Sequence, residues 1–184
     1  MVIGLAFLLC LATVPLAGGR LGALGDLRFR ARGILYAAIG AQVLIISVLP
    51  HGSETVHNAV HLGTYVAVAA FVVANRRIPW VWLVALGGAL NFTAIAANGG
   101  VMPAAPRALR AAGLPVDPAE FTNSGAVAHP HLQFLGDVFW LPSSWPVNNV
   151  FSIGDVLIVV GALLAMHCVC ASRLALRRFA VPAV

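Results

Sequence analysis

The sequence predicts an all-α integral membrane protein, a five-helix transmembrane bundle. Three observations predict it: apolar residues dominate, apolar runs recur at about the length of a membrane span, and arginines cluster at the ends of these runs. Of the 184 residues, 60% are hydrophobic and only 9% are charged, and the mean hydropathy is +0.93. A soluble domain is about half apolar and a quarter charged, so lipid is the expected solvent. Five spans of about 20 residues fill such a chain, and residues 1–184 are predicted to form one domain.

The first predicted span covers residues 2–17. It is apolar like a signal peptide, but no basic residue precedes it and Arg20, Arg28, Arg30 and Arg32 follow it. A secretory signal carries its positive charge before the apolar segment. The segment is therefore predicted to be a membrane helix with the N-terminus outside.

The second and third spans are predicted at residues 33–50 and 58–74. A turn-rich break at residues 50–53 closes the second span. The third is followed at once by Asn75, Arg76 and Arg77. An antiparallel pair of helices with a short connection is the expected result.

The fourth and fifth spans are predicted at residues 78–97 and 150–170. Pro79 is expected in the first turn of the fourth helix, where a proline is tolerated. Trp80 and Trp82 lie beside it, and tryptophan is enriched where a span meets the membrane interface. This gives five spans joined by short turns and one long loop, residues 98–149.

The arginines predict the orientation of the bundle. All eleven basic residues are arginine, and nine of them fall on one side if the spans alternate. By the positive-inside rule that side is cytoplasmic, which places the C-terminus in the cytoplasm and the long loop outside. Arg107 and Arg110, within the loop, are the exceptions. The clusters abut apolar spans, so membrane lipids are the expected partners and nucleic acid is not.

The outer loop is predicted to be folded. Residues 106–112 read as a short helix stopped by Gly113, and residues 117–120 resemble a capping box. Residues 132–145 are rich in aromatic and aliphatic side chains. This stretch is expected to pack over the helix ends or to lie in the interface as an aromatic-rich lid.

A polar site is predicted on the outer face. Apart from the arginines, nearly all polar side chains map to the outer half of the bundle, so specific binding or chemistry is expected there. The candidate site residues are His61, Tyr65, Asn98, His129, His131, Asp137, Asn149 and Asp155. No set of catalytic residues is predicted.

Histidines near the start of the third span raise a metal hypothesis. Glu54, His57 and His61 are spaced by three and four residues, so they share one helix face if the helix extends outward by a turn. Two histidines four apart can bind one metal ion. The candidate metal ligands are His57, His61, His131 and Asp137. The alternative is a helix-end histidine that hydrogen-bonds backbone or a carboxylate, and the identity of any cofactor stays open.

Asp155 has two interpretations. An acidic residue in a span is a candidate functional group. Residues 152–155 also fit a capping box with Asp in place of Glu, which would begin the fifth helix at Ile153. The two roles are compatible.

Polar and small residues inside the spans predict helix contacts. Asn91 is deep in the fourth span and needs an interhelical partner, for which Gln42 or Tyr65 is expected. His167, near the cytoplasmic end of the fifth span, is expected to interact with the helix dipole or a backbone group. Close packing is predicted at small residues, namely Gly87, Gly88, Gly161 and Ala165.

The chain resembles an uncharacterised family of bacterial multi-pass membrane proteins, catalogued as a domain of unknown function. The matching stretches are residues 97–103 (ANGGVMP), residues 135–137 (LGD) with Leu141 and Pro142, residues 149–156 (NVFSIGDV), residues 61–65 (HLGTY) and residues 75–77 (NRR). The resemblance implies a location in the bacterial cytoplasmic membrane and supplies no reaction.

Two classes of function follow. The first is a non-enzymatic accessory protein that binds a ligand, or a partner such as other membrane-protein subunits, at the outer face. The second is a lipid- or envelope-active enzyme, metal-dependent in one version, which needs acid and base groups within reach of one substrate atom. Its predicted groups are Asp137, Asp155, His61 and one of His129 or His131, with Asn98 orienting a headgroup. A transporter is disfavoured because the middle of the spans holds almost no ionisable residue.

Overall fold

The protein is mostly helical, as a computed structural model shows over residues 2–48, 53–116 and 124–175. Within these ranges there are seven α-helices: α1 (Val2–Leu16), α2 (Gly22–Gly25), α3 (Arg32–Val43), α4 (Glu54–Ala74), α5 (Val81–Ala97), α6 (Pro106–Ala112) and α7 (Ile153–Val169). A π-helical segment, Leu44–Val48, continues α3. Two short sheets are present: β1 (Met102–Pro103) pairs in parallel with β2 (Ser124–Gly125), and β3 (Phe139–Leu141) pairs antiparallel with β4 (Asn149–Phe151).

The long helices alternate in direction. Side-chain contacts between neighbours join Gln42 to His61 (α3 and α4), Tyr65 to Phe92 (α4 and α5), Asn91 to Asp155 (α5 and α7) and Thr13 to His167 (α1 and α7). Consecutive long helices are therefore antiparallel, while α1 and α7 run parallel. Two hydrogen bonds connect the elements at one end of the bundle. The Arg20 N–H donates to the Cys170 carbonyl oxygen at 3.0 Å, and the Arg30 N–H donates to the Asn75 side-chain oxygen at 2.9 Å. The described arginines outside the long loop gather at this end.

Glycines allow α5 and α7 to approach closely. A Cβ atom added to Gly161 would lie 2.8 Å from the Val84 nitrogen, and one added to Gly87 would collide with the Gly154 carbonyl oxygen. Small residues at such positions let two helix backbones pack together. Packing at Gly87 and Gly161 is thus confirmed. Gly88 is different: nothing lies within 4 Å of an added Cβ, so the prediction of close packing there is wrong.

One described helix is long and apolar enough to cross a membrane. It is the Thr55–Ala74 segment of α4, with mean hydropathy 1.5 and only 17% of its residues buried in the protein. Three further apolar segments are shorter, Ile3–Leu16, Val81–Ala97 and Ile153–Val169. Length and composition alone mark a single span among the described ranges.

Several helix ends differ from the sequence expectation. The helix predicted from residue 78 begins at Val81, because Trp80 adopts a left-handed conformation (φ 62°), and Pro79 precedes the helix instead of lying in its first turn. The helix predicted from residue 58 begins one turn earlier, at Glu54. The predicted turn at residues 50–52, the predicted capping box at 117–120 and the arginines at 177 and 178 lie outside the described residues.

The long loop between α5 and α7 has a small core of its own. Helix α6 forms where predicted and ends at Gly113, whose φ of 69° is left-handed. Its buried face, with Ala108 and Leu109, packs against Val150 of β4. In the aromatic stretch, Phe134, Trp140 and Trp145 are exposed. The loop is thus a folded cap with aromatic side chains on its surface.

Candidate functional site

A cavity lies among α3, α4 and α5, with one wall residue from α7. Its volume is about 750 Å³, and apolar side chains such as Ile39, Val68 and Phe92 form most of the wall. Small-molecule sites in proteins typically measure about 300–1,000 Å³ and are mostly apolar with a few placed polar groups. We call this space the α3–α4–α5 cavity. Its size is that of a ligand site.

A polar cluster occupies one part of the cavity wall. The Gln42 amide nitrogen donates to Thr64 Oγ1 at 2.6 Å and lies 2.9 Å from His61 Nδ1. The Thr64 hydroxyl donates to the His61 carbonyl oxygen at 2.7 Å. Because that bond uses the only Thr64 hydroxyl proton, Gln42 must present its NH₂ group to both partners. His61 Nδ1 is therefore an acceptor, and Nε2 carries the proton.

Next to this cluster, two buried polar atoms have no hydrogen-bond partner among the described residues. They are His61 Nε2 and Asn58 Oδ1, one turn apart on α4. His61 is only 2% exposed, and its ring meets Tyr65 edge-on with centroids 5.4 Å apart. Buried polar groups are nearly always paired, so this pair needs an explanation.

A second polar cluster joins α5 to α7. Asp155 accepts from Asn91 Nδ2 at 2.8 Å and from the Ser152 N–H at 2.9 Å. The Ser152 hydroxyl accepts from the Asp155 N–H at 3.0 Å and donates to Asn91 Oδ1 at 2.8 Å. The predicted capping box and the predicted helix start are confirmed. The expected partners of Asn91, Gln42 and Tyr65, are wrong: Asn91 faces α7 and bonds its capping residues.

Asp137 lies in the long loop between α5 and α7 and is buried. Its N–H donates to the Pro103 carbonyl oxygen at 3.0 Å, and its carboxylate accepts from the Ser124 hydroxyl at 2.5 Å. Burial raises the pKa of Asp137 from 3.8 to about 6, the Ser124 bond opposes the rise, and the charge of Asp155 adds to it. Through its bonds to Ser124 and Pro103, Asp137 links β2 to β1 and the loop core.

The other loop candidates are scattered. Asn98 accepts from the His131 N–H and donates to its carbonyl oxygen, both at 2.8 Å, so it holds the loop backbone and leaves the His131 ring exposed. His129 is also exposed. Asn149 lies in β4, opposite Leu141. Four of the eight predicted site residues are neighbours: the His61 and Tyr65 rings lie 5.4 Å apart, and Tyr65, Asp137 and Asp155 interact electrostatically. The contacts of Asn98, His131 and Asn149 described above are made within the loop.

The predicted metal ligands are not brought together. The ring nitrogens of His57 lie 2.8 Å from the Ser53 carbonyl oxygen and 3.1 Å from that of Ile45. A neutral imidazole donates from one nitrogen only, and because both nitrogens face carbonyl oxygens, neither points into a space that could hold a metal ion. His61 Nδ1 is taken by Gln42. Over the described residues, no group of three or more His, Cys, Asp or Glu could hold a metal ion, and His57 fits the backbone-bonding alternative.

His167 is buried at the arginine end of the bundle. Its ring nitrogens lie 3.0 Å from Thr13 Oγ1 and 2.6 Å from Ser172 Oγ. His167 lies in the last turn of α7, and among the described residues its hydrogen-bond partners are side chains of other segments instead of a backbone group. The histidine links α1, α7 and the segment that follows α7.

Sequence reasoning did not single out three polar residues beside the predicted ones: Asn58 and Thr64 next to His61, and Ser124 as the partner of Asp137. Asn58 was the first residue of a predicted span, and its spacing of three from His61 was an available signal. The pairing of Asp137 with Ser124 carried no such signal, because the loop conformation decides it.

The described fold and cavity define a class: a helical bundle with a ligand-sized, largely apolar cavity that is open on one side. The chain belongs to the family of unknown function DUF5317, whose model matches residues 26–167. An uncharacterised protein of Thermotoga maritima is similar, 29% identical over 101 residues. The match covers 55% of this chain, and the chain spans 58% of the length of that relative. No solved structure matches significantly. The expected membership in a family of unknown function is confirmed.

Proposed function

We propose that this is a multi-pass protein of the bacterial cytoplasmic membrane that binds a small, largely apolar molecule in the α3–α4–α5 cavity. The observation that carries the proposal is the cavity itself, which combines an apolar wall with a polar cluster at His61. The five spans correspond to α1, α3 with its π-helical continuation, α4, α5 and α7, and the outer loop faces away from the cytoplasm.

Exposed apolar side chains support a lipid environment. Leu8 and Leu9 on α1, Tyr36 on α3, and Val56 on α4 are all more than half exposed. Soluble monomers rarely expose contiguous apolar patches larger than a few hundred Å². A core helix of a soluble protein is mostly buried, whereas only 17% of the apolar segment of α4 is. Lipid is the solvent that fits such a surface.

The arrangement of the ends supports the orientation. Alternating helix directions bring Arg20, Arg30 and Arg76 to the end opposite the loop cap. A cytoplasmic membrane attracts arginine to its inner side. The Thr55–Ala74 segment rises about 1.5 Å per residue, so its 20 residues match a hydrocarbon core of about 30 Å.

The polar geometry favours binding over the lipid- or envelope-active enzyme. Both carboxylate oxygens of Asp155 are engaged, one by Asn91 and one by the Ser152 N–H. Asp137 bonds Ser124, and neither carboxylate lines the cavity. A general acid or base must reach a substrate atom, and these two serve the fold. Association with other membrane-protein subunits stays a prediction.

Photolabelling tests the binding site. Three probes share a 16-carbon chain with a mid-chain diazirine and end in a hydroxyl, a methyl ether or a methyl group. With the protein in lipid nanodiscs, at least one probe should label α3, α4 and α5 residues of the cavity, as mapped by mass spectrometry. Gly88→Leu places a side chain into the cavity, since an added Cβ meets nothing within 4 Å, and labelling there should fall several-fold.

Gly63→Leu is the matched control, because Gly63 lies on the exposed face of α4 and its Cβ also meets nothing within 4 Å. It should leave labelling unchanged. Equal labelling of all lipid-facing positions in the wild type and both variants would overturn the proposed site.

Thiol labelling tests the membrane topology separately. The native cysteines, Cys10, Cys168 and Cys170, are buried, so the wild type provides a low background. A membrane-impermeant maleimide applied to intact cells should label Ser144→Cys in the outer loop, and should label Arg28→Cys only after lysis. The reverse pattern would refute the orientation, and labelling of both sites in intact cells would refute the multi-pass arrangement.

A further inference from the structure

Two unpaired polar atoms on α4 constrain the chemistry of the occupant. His61 Nε2 and Asn58 Oδ1 are buried without a hydrogen-bond partner in the described parts of the chain. Residues three apart on a helix have neighbouring side chains, about 5–6 Å between Cβ atoms. His61 lines the cavity, and Asn58 lies one turn further along α4, just outside the residues of the cavity wall. A donor and an acceptor are therefore neighbours at the edge of the cavity.

The donor is fixed by its neighbours. Gln42 donates to His61 Nδ1 and to Thr64 Oγ1, so the proton of the neutral imidazole is on Nε2. Tautomers in proteins are set by the bond that the other ring nitrogen makes. The partner of His61 Nε2 must accept a hydrogen bond.

The acceptor is held in place by packing. Asn58 lies against Gly100, whose φ of 101° is left-handed and where an added Cβ would fall 2.6 Å from the Asn58 Cβ. The side chain is therefore wedged between α4 and the exit of α5. The partner of Asn58 Oδ1 must donate a hydrogen bond.

The absence of charged side chains from the described cavity wall limits which molecules can occupy it. The cavity wall consists of apolar residues together with Gln42, His61, Thr64 and Tyr65, and none of its described residues is an arginine or a carboxylate. His61 is about seven residues, or roughly 10 Å, inside the outer end of α4. Bringing an ion to that depth without a counter-charge is costly. An uncharged headgroup therefore fits this position best.

We infer that the occupant is a long-chain alcohol, whose hydroxyl accepts from His61 Nε2 and donates to Asn58 Oδ1 while its apolar chain fills the α3–α4–α5 cavity. A hydroxyl satisfies both atoms at once, whereas an ether or a carbonyl can only accept and would leave Asn58 unpaired. The inference rests on the proposed function, because it names the class of molecule that the cavity binds.

Competition among matched chains tests this inference. Unlabelled 1-hexadecanol, its methyl ether, hexadecan-2-one and hexadecane compete with the diazirine probe that labels the cavity best. Leaving a buried partner unpaired weakens binding, here by about tenfold, which corresponds to about 1.4 kcal/mol. In the wild type the alcohol should compete about tenfold more strongly than the ether or the ketone, and hexadecane least.

Two variants separate the two contacts. Asn58→Leu removes the acceptor, so the alcohol and the ether should compete equally. His61→Phe removes the donor, so the ether should fall to the level of the alkane. Thr93→Val, on the exposed side of α5 where its hydroxyl bonds the Ala89 carbonyl oxygen, is the control and should retain the wild-type ranking. If His61→Phe does not fold, the comparison of alcohol and ether in Asn58→Leu still tests the inference.

Each outcome points to one conclusion. If all four molecules compete equally for cavity labelling, the proposed function stands and the inference of an alcohol is wrong. A water molecule that bridges the two polar atoms would give this result. A tighter ketone, or an alcohol preference that survives in Asn58→Leu, also overturns the inference. If no probe labels the cavity in a Gly88-dependent manner, the proposed function itself fails.

Discussion

Ser152→Ala should destabilise the protein strongly, although it removes one oxygen atom. Ser152 is completely buried, accepts from the Asp155 N–H, and donates to Asn91 Oδ1. Loss of an N-cap side chain costs about 1 kcal/mol, and the unpaired Asn91 oxygen, in a 4% exposed residue, adds about 1–3 kcal/mol. The expected loss in free energy of unfolding is about 2–4 kcal/mol.

The assay uses the three buried cysteines, which become reactive only on unfolding. A thiol-reactive fluorophore followed during heating of the detergent-solubilised protein gives Tm, which for a chain of this size falls by about 2–4 °C per kcal/mol. A drop of roughly 4–16 °C is expected. Ser53→Ala is the matched control: Ser53 is the N-cap of α4, but its side chain makes no capping bond. Equal Tm values for the two variants would refute the argument.

Three further predictions concern other contacts. Gly154→Ala should destabilise by about 1–3 kcal/mol in the same assay, because its Cβ would overlap Asn91 Oδ1 and the Gly87 carbonyl oxygen; Gly63→Ala should not. The pKa of Asp137 is raised from 3.8 to about 6 in the folded state, so ionisation of Asp137 destabilises the fold. As pH rises from 4 to 7, the free energy of unfolding of the wild type should fall by up to roughly 3 kcal/mol relative to Asp137→Asn. A pH-independent difference in Tm between the two proteins would contradict this. Asn98→Ala removes both bonds to the His131 backbone and should speed limited proteolysis around residues 127–132 by roughly 5- to 30-fold, as for a loss of 1–2 kcal/mol; unchanged cleavage relative to Thr93→Ala would refute it.

Local signals were sufficient to predict the long helices. Each one follows from an apolar run bounded by turn residues or arginines, and α6 ends at the predicted glycine. The start of α5 was misplaced because the left-handed conformation of Trp80 is unusual for a bulky residue and leaves no mark in the sequence. The capping box at residues 152–155 was predictable because its two partners are three residues apart.

Partners from different helices were not predictable. Asn91 was expected to bond Gln42 or Tyr65, yet it bonds Ser152 and Asp155, which are 61 and 64 residues away. The sequence shows that such a residue needs a partner, but helix rotation and neighbour order decide which one. The same holds for His167, whose contact with Thr13 spans 154 residues. The apolar pattern is degenerate in a chain that is hydrophobic on most faces, so it does not specify these rotations.

The polar side chains of the bundle have two different relations to their surroundings. Asn91, Ser152 and Asp155 hydrogen-bond one another in a closed network. Such a network is stable without a further partner. Beside the cavity, the network around Gln42 closes on one nitrogen of His61 and leaves the other without a partner, next to the oxygen of Asn58. Buried polar groups are normally hydrogen-bonded, and the pair at His61 and Asn58 departs from this rule. Such departures are expected at functional sites. The α5–α7 contact is therefore interpreted as the frame, and the outer end of the α3–α4–α5 cavity as the position at which a molecule binds.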